Sequence, residues 1–233
     1  MKKTFTTIIT TMLLFIGGIA FADDPITTPI YNTGTMGDLT VNYDGNIRST
    51  ETMIFPAAIY NNGGTIGNIE GTIKNNTENI GIFNYTGGSI GDISGTFTGN
   101  YGGVSSGAFS AKFGNISGTF EDNTYYGAIL AMFSKVGDIS GEFNNNTNQD
   151  WSIYTSGGAI SVSNAGNIDA NFTGNYSHLY GGAIDIGVGG TVGDITGDFT
   201  NNGASTGGAI ATTGNGFVNV GNITGDFTGN YAV

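Results

Sequence analysis

The chain contains no cysteine. Disulfides, thiol nucleophiles and cysteine-based metal sites are therefore excluded, and stability has to come from another source. Proline is nearly as scarce, at 3 residues, which excludes collagen-like and proline-rich linker architectures despite 42 glycines. Charged residues make up 10% of the chain, and positive charge is the scarcest, with 6 Lys and Arg against 18 Asp and Glu. A net charge of −12 leaves no basic face for nucleic-acid phosphates or for an anionic membrane surface. Good helix formers are rare beyond the start, whereas Ile, Val, Phe, Tyr and Thr are plentiful, which is the composition of strands.

Residues 1–22 read as a secretory signal peptide. Lys2 and Lys3 form the charged start, Ile8 to Ile19 is mostly apolar, and Ala20-Phe21-Ala22 is a small-residue cleavage site before Asp23. The apolar run is short for a membrane anchor, and nothing downstream is long enough to cross a bilayer as a helix. Removal of this segment leaves Arg48, Lys74, Lys112 and Lys135 against 18 acids, a net charge of −14. Residues 23–36 hold Pro25 and Pro29 and no repeat, so they read as an extended lead-in that caps the first coil.

From residue 37 to 233 the chain is repetitive. A Gly-[Asp/Asn]-Ile-x-Gly-x-Phe-x-x-Asn unit begins at Gly37, Gly67, Gly91, Gly114, Gly137, Gly166, Gly193 and Gly221, at spacings of 30, 24, 23, 23, 29, 27 and 28 residues. Such self-similarity is the mark of a solenoid. Between copies lies a Gly-Gly-Ala-Ile unit, complete at 157–160, 181–184 and 207–210 and degenerate elsewhere. Within a copy, Gly137, Ile139, Gly141 and Phe143 alternate with polar residues, so the unit is a strand with one inward face. Propeller blades are longer than this repeat, and a sandwich does not predict a near-identical unit. The expected fold is all-β: a single-stranded right-handed parallel β-helix of about eight coils of ~25 residues, on the order of 40 Å long at the spacing between strands.

Stacking then assigns roles. Leu39, Ile69, Ile93, Ile116, Ile139, Ile168, Ile195 and Ile223 form one internal ladder. Tyr43, Ile73, Phe97, Phe120, Phe143, Phe172, Phe199 and Phe227 form a second. Asn76, Asn100, Asn123, Asn146, Asn175, Asn202 and Asn230 stack at a corner, where their amides bond to each other and to the backbone. The residue after the first Gly alternates without exception: Asp38, Asn68, Asp92, Asn115, Asp138, Asn167, Asp194, Asn222. The intervening Asn doubles the distance between stacked carboxylates, and its amide is placed to donate to the acids on either side; duplication of a two-coil unit gives the same pattern.

Solenoids put function where the repeat is interrupted. The long connections 44–56, 147–156 and 177–180 hold the single Arg, Trp and His, so Arg48, Trp151 and His178 are the candidate contact residues. No catalytic, cofactor or metal residue is assigned. The acids mostly follow the repeat, whereas a catalytic residue has to break it. Asp150 and Asp185 do break it but lack a recognisable partner, and the cations look few and scattered. Calcium loops of the Asp-x-Asp-x-Asp-Gly type are missing. A flat Thr array for ice is broken where Glu142, Asn171, Asp198 and Asp226 replace Thr72, Thr96 and Thr119 in register.

Gly-Gly-Ala-Ile alternating with Phe-x-x-Asn, at 97–100, 120–123, 143–146, 172–175, 199–202 and 227–230, resembles the repeat of polymorphic outer membrane proteins of the chlamydial type and related autotransporter passengers. The resemblance covers roughly residues 57–233. It implies a non-enzymatic passenger, secreted or displayed at the cell surface or outer membrane. The role it implies is adhesion to a host-cell or bacterial surface protein or glycan in virulence, with no nucleic acid and no small-molecule cofactor. The family's C-terminal translocating β-barrel has no counterpart in this sequence. That departure implies a truncated array whose uncapped last coil is open to self-association. The alternatives are a polysaccharide-active β-helix enzyme and an autotransporter fragment without an independent role.

Overall fold

The computed structural model describes residues 19–20, 26, 28–45, 53, 55–107, 110–151, 156–213 and 216–233. Among these there is no helix; the chain is a parallel β-solenoid of about seven turns with about 26 residues per turn. Eight rungs of one sheet carry the repeat, from 39–44 to 223–228, and eight rungs bound seven complete turns, which accounts for the difference from the expected eight coils.

Three parallel sheets run along the solenoid. The first holds Leu39–Asp44, Ile69–Lys74, Ile93–Thr98, Ile116–Glu121, Ile139–Asn144 and Ile168–Thr173, followed by two rungs that are each split into two short strands. Its register follows the repeat, with Ile93↔Ile116↔Ile139↔Ile168 and Phe97↔Phe120↔Phe143↔Phe172 as direct partners. Both internal ladders are buried in all but the last rung, where Ile223 and Phe227 are about half exposed at 48% and 49%. The phenyl rings stack almost in parallel: Phe97–Phe120 and Phe120–Phe143 have centroids 4.9 Å apart and planes within 5°. Each buried rung contributes roughly 1.5–3 kcal/mol, and each stacked pair about 0.5–1.5 kcal/mol more. Gly118 is needed between them. Its φ is 135°, and a Cβ there would meet the carbonyl oxygen of Gly95 on the preceding turn.

The second sheet stacks Ile30–Asn32, Ala57–Asn62, Ile80–Tyr85, Gly102–Ser106, Ile129–Lys135, Ile160–Ala165 and Ile184–Val192. Short strands such as Thr65–Ile66, Ser89–Ile90 and Lys112–Phe113 continue it after a corner. Its inward column, Ile59, Ile82, Val104, Ile129, Ile160 and Ile184, completes the core. Ile30–Asn32 pairs with Ile59–Asn61, and Thr35–Met36 with Thr65–Ile66. The solenoid thus begins upstream of the expected start at Gly37, inside the stretch read as a lead-in. Residues 1–18 and 21–25 lie outside the described residues, so the expected signal peptide falls there apart from Ile19–Ala20, whose backbone pairs with Leu39–Thr40. Among the described residues, the third sheet, Thr147–Asn148, Tyr176–Tyr180, Gly203–Thr206 and Tyr231–Ala232, occurs only in the later turns.

Two polar ladders replace disulfides. In the expected one, Asn100 Nδ2 donates to Asn123 Oδ1 at 3.0 Å and to the Ile73 carbonyl at 2.9 Å, and the pattern repeats to Asn230. The second escaped sequence reasoning: Asn32 Nδ2 donates to Asn61 Oδ1 at 2.8 Å, and Asn61 Nδ2 to Asn84 Oδ1 at 2.9 Å. The triplets Ile-Tyr-Asn at 30–32 and 59–61 and Ile-Phe-Asn at 82–84 carry the signal that identifies it.

The alternating Asp/Asn column is stacked but bonded differently from expectation. Each side-chain oxygen accepts from the backbone N–H of the next residue in the column, from Asp38 with Asn68 N at 2.7 Å to Asp194 with Asn222 N at 2.8 Å. Among the described residues, the one column amide that reaches a column carboxylate is Asn222, whose Nδ2 lies 3.2 Å from Asp194 Oδ1.

Candidate functional site

The residue after each ladder Asn opens the solenoid's side surface. Tyr101, Thr124, Thr147 and Tyr176 occupy this place on successive turns, each N–H donating to the carbonyl of the Asn one turn earlier. Because the Asn ladder fixes this corner, the segments that come after it on successive turns lie side by side.

Two of the three residues singled out by sequence come together here. The Trp151 indole lies against the His178 imidazole with centroids 4.7 Å apart, and Tyr176 stands edge-on to His178 at 5.7 Å. Trp151 is 71% exposed. His178 is not in a loop, as the sequence suggested, but on the strand Tyr176–Tyr180 of the third sheet. Parallel pairing with Thr147–Asn148 and Gly203–Thr206 is what makes that segment a strand. His178 also has partners: Nδ1 lies 3.3 Å from the Gln149 carbonyl, and its own carbonyl accepts from Ser205 Oγ at 2.7 Å. Arg48 lies outside the described residues.

Sequence reasoning missed the tyrosines next to this pair. Tyr101 and Tyr125 stack at 4.5 Å, and Tyr126 stands edge-on to both at 5.5 and 5.0 Å. Removal from water raises the Tyr101 phenol to about 12, with Tyr125 the next cause and Asp150 a further one. The same burial, with Asp150 and then Tyr125 adding to it, raises Tyr126. The Asp150 carboxylate is therefore close enough for its charge to act on the tyrosine cluster, and its backbone N–H donates to Asn148 Oδ1 at 3.0 Å. Tyr126 continues through Phe55 to Phe83, Tyr60 and Tyr31, an aromatic string over the outside of the second sheet. A Tyr-Tyr pair one repeat after Tyr101 was the available signal.

Asp185 sits elsewhere, fully buried on the second sheet, where Thr213 Oγ1 donates to its Oδ2 at 3.2 Å. Its Oδ1 has no hydrogen-bond partner, nor has Ser161 Oγ, on the register partner one turn earlier. Burial pushes this carboxyl up to about 7.

The aromatic corner offers flat apolar faces, phenol and indole donors, one carboxylate and one imidazole, which is equipment for binding. Among the described residues no three His, Asp or Glu side chains group as metal ligands. No family model, curated protein or solved structure gives a significant match to this chain.

Proposed function

We propose that the chain is an exported, non-enzymatic β-solenoid passenger of the polymorphic outer membrane protein type, secreted or displayed at the cell surface. It acts as an adhesin whose side surface binds a host-cell or bacterial surface protein or glycan. The observation that carries this reading is the Trp151–His178 contact. Two residues that break the repeat on different turns are brought together, and one is a largely exposed tryptophan. Exposed Trp and Tyr held on a rigid scaffold are what anchors binding partners. The scaffold supplies stability through its ladders, and its interruptions supply recognition.

Binding of the purified protein to epithelial cells and to bacterial cells tests the reading. Wild-type protein is expected to bind and Trp151→Ala to bind several-fold less at unchanged melting temperature. Equal binding by the two overturns it, as does measurable cleavage of pectin-like or host glycans. Export is tested separately by N-terminal sequencing of protein recovered outside the cell. Asp23 is expected as the first residue, and a retained Met1 overturns cleavage after Ala22.

A further inference from the structure

The cations that look scattered in the sequence are not scattered in the fold. Lys74 is neutralised by Asp44, with Nζ 3.1 Å from Oδ2. Lys112 and Lys135, 23 residues apart, are direct register partners on adjacent turns of the second sheet. Their Cα atoms are therefore about 4.8 Å apart. Among the described residues, neither has a carboxylate at ion-pairing distance. Like charges directly opposite one another are unfavourable, and the rest of this outward column avoids them. It carries Thr35, Thr65 and Ser89 before the lysines and Asn164, Thr191 and Asn219 after them.

The backbone is unusual at the same place. Two residues before this column the corner needs a left-handed conformation, and other turns supply glycine: Gly63 (φ 75°), Gly87 (φ 71°) and Gly189 (φ 68°). In the two lysine-bearing turns the position is held by Ser110 (φ 73°) and Phe133 (φ 62°). A bulky side chain there is strained, and such strain collects at ligand sites. The two strained residues are adjacent, Ser110 N donating to the Phe133 carbonyl at 3.2 Å. An open cavity of about 440 Å³ lies against them, lined by Ser110, Lys112, Phe133, Ser134, Lys135 and Asn164. The Phe133 side chain is 38% exposed.

We propose that Lys112 and Lys135 form an anion site for a sugar acid, a pyranose carrying a carboxylate or a sulfate ester. The charged group sits between the two ammonium groups, where the repulsion between them becomes shared attraction. The apolar face of the sugar ring packs on Phe133, and the Ser110 hydroxyl and Asn164 amide serve the ring hydroxyls. The net charge of −12 selects short ligands, because the field of the whole protein repels a long polyanion while two local lysines still hold one acidic sugar. The site is on a different sheet from the aromatic corner and does not depend on it.

Calorimetric titration at low ionic strength tests this with glucuronate, galactose 6-sulfate, neutral galactose and inorganic sulfate. Both sugar acids are expected to bind at least about tenfold more tightly than galactose or sulfate ion. The double variant Lys112→Gln, Lys135→Gln is expected to lose at least about tenfold in affinity without a lower melting temperature, since it removes a like-charge contact. Phe133→Gly is expected to raise the melting temperature by relieving strain and to weaken the sugar acids. The proposal is overturned if the wild type binds neither sugar acid, if sulfate ion binds as tightly as they do, if the lysine variant keeps its affinity, or if Phe133→Gly leaves it unchanged.

Discussion

Asn123 Nδ2 donates to Asn146 Oδ1 at 2.9 Å, and the Asn123 backbone N–H donates to the same oxygen at 3.2 Å. The amide's other hydrogen goes back to the Phe97 carbonyl at 2.8 Å. One side chain therefore bonds to the turn before it and the turn after it, entirely out of water. Asn123→Ala keeps the backbone N–H bond to Asn146, removes the two side-chain donations, and leaves the donors of Asn100 without their acceptor. At about 1 kcal/mol per bond and more for each stranded group, the expected loss is about 3 kcal/mol. Asn230→Ala, at the exposed end of the ladder, is expected to cost about 1 kcal/mol or less. Urea denaturation of the two variants checks the difference; equal losses would remove the ladder from its stabilising role.

The phenyl stack makes a parallel contrast. Phe120 is buried between two rings, whereas Phe227 is about half exposed at 49%. Phe120→Ala is expected to cost about 3–5 kcal/mol through lost contacts and a cavity that a parallel solenoid cannot collapse. Phe227→Ala costs a minor fraction of that. The same denaturation experiment reads both, and a destabilised Phe227→Ala comparable to Phe120→Ala contradicts the assignment of the core.

Asn115 lies between Asp92 and Asp138 in the alternating column. Asn115→Asp keeps the oxygen that accepts from Asp138 N, so any loss isolates charge repulsion between neighbours on adjacent turns. A lower melting temperature is expected at low salt, with the deficit shrinking at ~1 M salt, where screening reaches within about 3 Å. A deficit that salt does not change would point away from repulsion.

Much of the fold was legible because one turn equals one repeat. Ile93 and Ile116 hold the same place in successive repeats, and in the fold they are direct partners. The Phe and Asn ladders are explained by the same reasoning. What depends on turns of unequal length was not legible. Trp151 follows one strand of the third sheet and His178 lies on the next, and the pairing of Thr147–Asn148 with Tyr176–Ser177 brings their rings together. The Lys112–Lys135 pair was legible in principle, since their separation matches the local repeat. Each lysine taken singly looked isolated. The left-handed backbone at Phe133 has no sequence signal, because the place it takes is one that glycine fills on other turns.

Asp185 gives the solenoid a pH dependence of unusual sign. The folded protein holds its carboxyl up to about 7 because burial disfavours the ion, with Thr213 opposing the effect. The unfolded chain ionises at the ordinary carboxylate value, about 4. Between those values the folded state binds more protons than the unfolded state, so stability falls as pH rises from about 4 to about 7 and is level above that. The contribution is on the order of 1–4 kcal/mol. Asp185→Asn keeps the shape, still accepts from Thr213, and carries no charge to bury. The variant is expected to melt at a higher temperature than the wild type at pH 8 and to lose that advantage at pH 4. Thermal unfolding across this range measures it. A variant that is less stable than the wild type at pH 8 would mean that Asp185 is ionised in the folded protein and satisfied there by a partner.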